Sequence, residues 1–478
     1  MTKKIHPYIA SGIIALALSS CAVPKVTDIK KPAEIPSTEV SNTATSTQSI
    51  SLKEFFADPH LQQLFDEVVK ANPDFLIAQQ RLEIANSYLQ RSKMALLPSL
   101  EVGAIVSGDH FGKYTIDGVG NKETNISPTV TEHEKINEDI SPNFWLGAKS
   151  SWEIDAWGKL KNQKIAAQKR YMASAEGIRL LQVELFTNIA QLYYQLITLD
   201  KKLEIYDANL KLQNRAYEIV KAQREVGKAT ELAVQQFKAH NNNILAELEY
   251  IKAEIVSTEQ AIATLTGKYG THVERSSTLL PTQVSVLNQE MDVNAIIHSR
   301  PDVMSNYLVL EATHADAKAA RAAFYPKLDL NASVGFNSFN AEMLFKPSSL
   351  AAQLLGGFMV PIFNKGQLKH EFNIANKEQE IAFLTYQKSI TTAFNELQSV
   401  LKQMKIYEKV LKLKSEEVTA LDKGIVVSND LYLTGYANYL ELINSQKSKL
   451  QAELERLQFQ HQNTQNNILL FKALGGKL

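Results

Sequence analysis

A chain that carries one very long helical pattern twice must find partners for both copies, and residues 152–267 impose that condition here. After Trp152-Glu-Ile-Asp-Ala-Trp-Gly-Lys-Leu160, apolar residues fall at Leu185, Ile189, Leu192, Leu196, Leu199, Leu203, Tyr206 and Leu210. Steps of four and three alternate, which is the seam of a coiled coil, so a partner helix is required. Beyond Gly227 the spacing resumes at Ile244, Leu248, Ile251, Ile255, Ile262 and Leu265 and stops at Gly267, a glycine placed as a helix C-cap. The unit reads as a helical hairpin over 159–267 with its tip at Gly227. Roughly 65 residues at about 1.5 Å each make a rod on the order of 100 Å long, far more than a globular core needs.

The copy lies 208 residues downstream, where Ile154, Gly158, Leu160, Gly227 and Leu232 recur as Ile362, Gly366, Leu368, Gly435 and Leu440. Phe394, Leu397, Leu401 and Met404 form its outgoing seam and Ile443, Leu450, Leu454, Leu457, Ile468 and Phe471 its return. This second hairpin, 366–476, is expected to close at Gly476, one residue slipped from the constant offset. An earlier segment is duplicated at an offset of 228: Pro73, Asp74, Leu82, Glu83, Ala95, Pro98 and Leu100 become Pro301, Asp302, Leu310, Glu311, Ala323, Pro326 and Leu328. Helices are expected from Leu52 to Ala71 and from Pro73 to Leu97, the latter stopped by Pro98.

After each proline the period changes from helix to strand. Leu100, Val102, Ala104 and Val106 alternate with polar or small residues, and Leu328, Leu330, Ala332, Val334 and Phe336 do so more cleanly. Return strands run from Phe144 to Asp155 and from Leu350 to Ile362, giving β-hairpins over 99–156 and 327–363. Each strand has about ten residues or more, the length a transmembrane β-strand needs. The difference between the two offsets falls between paired strands: the connection from His110 to Ser141 is long and polar, and that from Asn340 to Ser349 is short. Alternation alone would equally fit a water-soluble sheet with one wet face. Four strands cannot close a membrane barrel, however, and an open sheet in lipid would leave edge N–H and C=O groups unpaired at several kcal/mol each. Strands that enter a membrane would therefore have to come from several chains sharing one barrel.

Charge and chemistry narrow the function classes. Lys+Arg and Asp+Glu both number 51, which gives no basic surface for nucleic acid. The ten histidines and eight methionines lack metal-ligand spacing, and no nucleophile, paired acid and base, or phosphate loop stands out, so no cofactor, metal or catalytic residue is expected. The single cysteine is more informative. Lys3 and Lys4 precede a short apolar run from Ile9 to Leu18, too short to span a bilayer, and then Leu18-Ser-Ser-Cys21. This resembles a bacterial lipoprotein signal, which implies removal of 1–20 and acylation of Cys21. Ala22 in the next position implies, by the same resemblance, sorting to the outer membrane. Residues 21–51, rich in Pro, Ser and Thr, read as a tether, 52–267 as the first repeat, 268–291 as a linker and 292–478 as the second repeat.

Taken in order, these marks resemble the outer membrane efflux protein family, the TolC-like channels, and within it the lipid-anchored efflux lipoproteins. They are Pro73-Asp74, Pro301-Asp302, Asp155-Ala-Trp-Gly158, Val360-Pro-Ile-Phe-Asn364 with Gly366, and the turns at Gly227 and Gly435. The resemblance covers nearly the whole mature chain. It implies an α+β membrane protein in which long coiled-coil hairpins form an α-barrel and four strands per chain complete a trimeric twelve-stranded β-barrel. It further implies a passive outer-membrane conduit that receives small molecules from an inner-membrane pump through a periplasmic adaptor gripping the hairpin tips. By the same resemblance Leu440 maps onto an apolar constriction of a periplasmic gate, with Tyr432, Asn444 and Lys447 around it. Where the family pattern has an aspartate this chain has Asn444. Glu441, about 60° away around the helix, is the substitute anion, and a ring of it is expected to make an open entrance prefer cations. Other readings stay open: a channel for type I protein secretion or metal-ion efflux, or a lipid-anchored periplasmic adaptor or scaffold without a pore.

Overall fold

The computed structural model describes residues 23–32, 55–270, 272–279, 292–361 and 363–476. Cys21, the signal sequence, most of the tether and of the linker, and Ile362 lie outside the described residues. In chain order the elements are α1 (Pro59–Ala71), α2 (Pro73–Met94), β1 (Ser99–Asp109), α3 (Ile116–Ile126), β2 (Ser141–Ile154), α4 (Lys159–Glu225), α5 (Glu231–Leu265) and α6 (Val293–Ser299). There follow α7 (Pro301–Ala322), β3 (Lys327–Ser338), β4 (Leu350–Met359), α8 (Gln367–Thr434) and α9 (Tyr439–Ala473). The chain forms two compact units, each drawing segments from both repeats. One contains Ile84–Tyr171 and Val309–Phe383 with residues up to Lys30, and the other contains Lys31–Glu83, Met172–Leu308 and Leu384–Leu478.

The first unit holds a four-stranded antiparallel sheet in the order β1-β2-β3-β4, so the two β-hairpins join along β2 and β3. The register aligns the apolar positions of all four strands. Val102 faces Ala148, Ala148 faces Val334 and Val334 faces Ala352; likewise Ala104, Leu146, Phe336 and Leu350 share one rung. Because side chains alternate between faces with period two, one face is apolar but for Ser150 in its middle, and the other carries Glu101, Lys149, Ser333 and Gln353. In a water-soluble sheet the apolar face would be covered. Here Val102 is 79% exposed and Leu354 is 73% exposed.

Between β1 and β2 the polar connection is more ordered than its composition suggested. Thr115 caps α3 by accepting from the Gly118 N–H at 3.1 Å. Asn125 then fastens the loop through Nδ2 to the Ile136 carbonyl at 2.7 Å and through Oδ1 from the Ile136 N–H at 2.8 Å. Asn340 of the second connection donates to the His133 carbonyl at 2.9 Å, tying the two loops together. At the other end of the sheet the Asp155-Ala-Trp-Gly158 mark acquires its physical reason. The Asp155 carboxylate accepts from the Leu160 and Lys161 N–H groups at 3.0 and 2.8 Å, capping α4, while Gly158 at φ +77° makes the turn.

The second unit centres on Phe56, Leu61, Phe65, Ile189, Tyr193, Leu196, Ile262 and Ile468, all essentially buried. Helix α1 begins at Pro59, where Asp58 caps it from the His60 N–H at 3.0 Å and Pro59 sits at the first helical position; the expected start at Leu52 lies outside the described residues. The same Asp58 carboxylate accepts from Tyr193 Oη at 2.7 Å and Ser276 Oγ at 2.6 Å, and burial first of all pushes the Tyr193 hydroxyl up to about 12. Helix α2 ends at Met94, three residues before Leu97, as the chain unwinds toward Pro98. The second hairpin's outgoing seam is turned slightly from expectation: Ala393 is buried with Leu397, Leu401 and Met404, while Phe394 is only half-buried.

The second hairpin closes at Gly475 and not at Gly476. Gly475, at φ +86°, donates to the Lys472 carbonyl and Gly476 to that of Phe471, at 2.9 and 3.1 Å. Gly267, at φ +66°, and Lys268 make the same pair of bonds to Thr264 and Ala263. This is the Schellman motif in both copies, so the offset of 208 holds without a slip. Gly476 is needed for a different reason. A Cβ there would lie 2.3 Å from Val183 Cγ2.

Candidate functional site

The two hairpin tips are built alike. Gly227 (φ +75°) and Gly435 (φ +83°) each end a long helix in the left-handed conformation. Lys228 donates to the Gln223 carbonyl at 2.7 Å and Tyr436 to the Leu431 carbonyl at 2.8 Å, which satisfies the last turn of α4 and of α8. The return helices start with polar caps: Thr230 accepts from the Ala233 N–H at 3.2 Å, and Asn438 accepts from Leu440 and Glu441 at 2.9 and 3.1 Å. Glu441 completes a capping box by accepting from the Asn438 N–H at 2.9 Å.

Between the tips lies an apolar cluster of Ala216, Val220, Val234, Phe237, Tyr432, Leu442 and Ile443. Tyr432 is therefore a packing residue as well as a polar one. Its hydroxyl donates to Gln223 Oε1 of the first hairpin at 2.5 Å, and burial raises its pKa. One to two turns further along the same helices the buried residues change to Asn209, Gln213, Asn241 and Gln446, with Asn241 donating to Asn214 Oδ1 at 2.8 Å. His240 stands beside this layer, its pKa lowered by burial and then by the charge of Lys447.

Leu440, Asn444 and Lys447 share the opposite, exposed face of α9, as positions i, i+4 and i+7 of one helix must. Glu441 is exposed too, but its carboxylate is turned to the cap. Among the described residues no ion pair joins it to Lys447.

The profile described as Outer membrane efflux protein matches residues 64–268 and 293–476. The chain belongs to the outer membrane efflux protein family. Relatives include the solvent efflux pump outer membrane protein SrpC of Pseudomonas putida, 27% identical over 89% of this chain and 87% of its own length. The cation efflux system protein CusC of Escherichia coli strain K12 is 25% identical over 97% and 98% of the two chains. The crystal structure of the outer membrane protein VceC from Vibrio cholerae superposes with a TM-score of 0.80 at 21% identity, covering 89% of this chain and 99% of that one, a likeness of fold. As a member of the efflux protein family the chain is an outer-membrane channel component of an efflux pump.

Away from the tips, two buried or half-buried arginine clusters were not apparent from spacing. Arg300 is nearly buried, and its guanidinium donates to Asp302 at 3.0 and 2.8 Å and to Glu396 at 2.7 Å; its place before Pro301 was the only signal. Arg275, within the linker, holds Asp200 and Glu259 together, at 2.6 and 2.8 Å. No sequence pattern announced that pair of contacts.

Proposed function

We propose that three copies of this chain form one passive conduit, with the hairpin tips as the gated, adaptor-facing end and Cys21 as a lipid anchor. The observation that carries this reading is the pair of free sheet edges. β1 and β4 are each bonded on one side only, and their residues are exposed along the whole of both strands. In lipid such edges cost several kcal/mol for each unpaired group, and pairing β4 of one copy with β1 of the next removes them. Three copies then make twelve strands, with the apolar face toward lipid and the polar face toward a lumen.

Solute moves down a gradient that the pump supplies, and the channel itself makes and breaks no covalent bond. At the gate, Leu440 narrows the passage, Asn444 and Lys447 surround it, and Tyr432 anchors the second hairpin to the first. Glu441 gives the open entrance its preference for cations. The mass of the particle extracted in mild detergent, corrected for bound detergent and lipid, tests the assembly: three chains are expected, and a stable single chain would overturn the shared barrel. Glu441→Gln keeps the capping box, since glutamine serves as well as glutamate there, and removes the charge. The reversal potential in a salt gradient should move toward zero, and an unmoved value would strip Glu441 of this role.

A further inference from the structure

On the polar face of the sheet, Trp145, Gly147 and Lys149 follow one another on β2. Lys149 Nζ lies 4.4 Å from the centroid of the Trp145 ring. In the register Gly103, Gly147 and Gly335 form one rung across three strands. At Gly147 and Gly335 the absence of a side chain is a steric requirement. A Cβ on Gly147 would sit 2.9 Å from Trp145 Cζ2 and 2.4 Å from the Val334 carbonyl oxygen, and one on Gly335 would sit 2.5 Å from the Leu146 carbonyl oxygen. The glycines therefore let a large indole lie along the wall instead of standing across the lumen.

Next to this rung is a cavity of about 290 Å³ lined by Ser99, Glu101, Lys149, Ser151, Asn331 and Ser333. Glu101 is the direct cross-strand neighbour of Lys149, yet among the described residues neither forms an ion pair. The ammonium rests on the aromatic face. A cation held over a half-buried indole, beside hydroxyl and amide groups and a floor without side chains, has the parts needed to hold a flat ring and an anionic group together.

We propose that Trp145 and Lys149 form a lumenal subsite for planar aromatic solutes that carry one carboxylate, a class of cargo that pauses there on its way out. The inference rests on the trimeric-barrel reading, which makes the polar face a lumen and supplies three such subsites. An incoming carboxylate draws the Lys149 ammonium off the indole and pairs with it. The uncovered face then stacks with the ring of the solute over the glycine rung. Glu101 repels a second carboxylate, which restricts the site to singly charged acids.

Single-channel recordings in planar bilayers test this with 2-naphthoate added on the loop side. Cyclohexanecarboxylate and 2-naphthylmethylammonium serve as the non-aromatic and the cationic controls. The naphthoate is expected to interrupt the current at concentrations where neither control does. Trp145→Ala and Lys149→Gln should each raise the half-blocking concentration about tenfold, with Trp145→Phe between wild type and Trp145→Ala. Gly103→Leu, at a position where a Cβ meets nothing within 4 Å, should crowd the floor and weaken block while leaving both binding residues in place. Equal half-blocking concentrations for wild type, Trp145→Ala and Lys149→Gln, in particles of three chains, would overturn the subsite. Failure to obtain three-chain particles or any current would instead strike the channel reading itself, and this inference with it.

Discussion

The two hairpin tips share a backbone and differ in surface. At positions related by the offset of 208, Glu218, Gln223, Glu225 and Lys228 of the first hairpin become Val426, Leu431, Leu433 and Tyr436 of the second. Those four apolar side chains are 61%, 42%, 56% and 85% exposed. At a further equivalent pair, Arg224 and Glu231 form an ion pair at 2.9 Å across the first turn, whereas Tyr432 and Tyr439 occupy those places in the second. Identical glycine turns thus carry a first tip on which Val226 and Leu232 stand among charged residues, and a second on which the exposed apolar surface is wider. The second tip is the half of the molecule suited to meeting other protein, whether neighbouring subunits at a closed gate or an adaptor.

The largest test of this contrast is to remove the aromatic anchor. Tyr432→Ala should lower the unfolding free energy of the detergent-solubilised protein by about 3 kcal/mol, and Tyr432→Phe, which loses only the bond to Gln223, by about 1 kcal/mol. The equivalent Arg224→Ala removes an exposed ion pair and should cost no more than about 0.5 kcal/mol. Similar losses for Tyr432→Ala and Arg224→Ala would erase the asymmetry. Gly227→Ala and Gly435→Ala meet the same left-handed backbone and open space, and each should cost about 1 kcal/mol in thermal unfolding. Unequal costs would show that one turn is loaded by contacts the other lacks.

A smaller effect is expected from pH. Burial lowers the pKa of both His240 on the first hairpin and His461 on the second, below the ordinary value of 6.5. Each imidazole is harder to protonate in the fold than in the unfolded chain. The stability it contributes is fully present above about pH 6.5 and is lost as pH falls through the lower folded pKa. Melting temperatures measured on either side of pH 6.5 should fall on the acid side. His240→Gln should flatten the part of that slope belonging to the first hairpin. The smallest change in stability, within about 0.5 kcal/mol, is expected for Leu433→Glu, which gives the second tip the residue of the first. Its function should suffer all the same, read as increased leak current or weakened capture of the adaptor, and an unaltered channel would deny the exposed leucine any part in closure or docking.

Much of this was legible because period and offset are properties of the chain itself. The seam from Leu185 to Leu199, the strand alternation at Leu328–Phe336 and the turns at Gly227 and Gly435 all follow from local chemistry. What escaped depended on neighbours remote in sequence. Gly475 and Gly476 look alike until one is seen to make the turn and the other to clear Val183. Helix α3 hid in a polar stretch because its cap, Thr115, is followed by no apolar stripe. The burial of Tyr432 depends on Gln223, 209 residues earlier in the chain, and no spacing within the second hairpin reports it.

The free edges of β1 and β4 have a genetic consequence. In the proposed barrel of three chains there is no place for a silent passenger, because every strand edge is completed by a neighbouring subunit. In a cell making both normal and edge-defective subunits, most rings include at least one defective member and fail at that seam. Damaging changes in β1 or β4 should therefore behave as dominant.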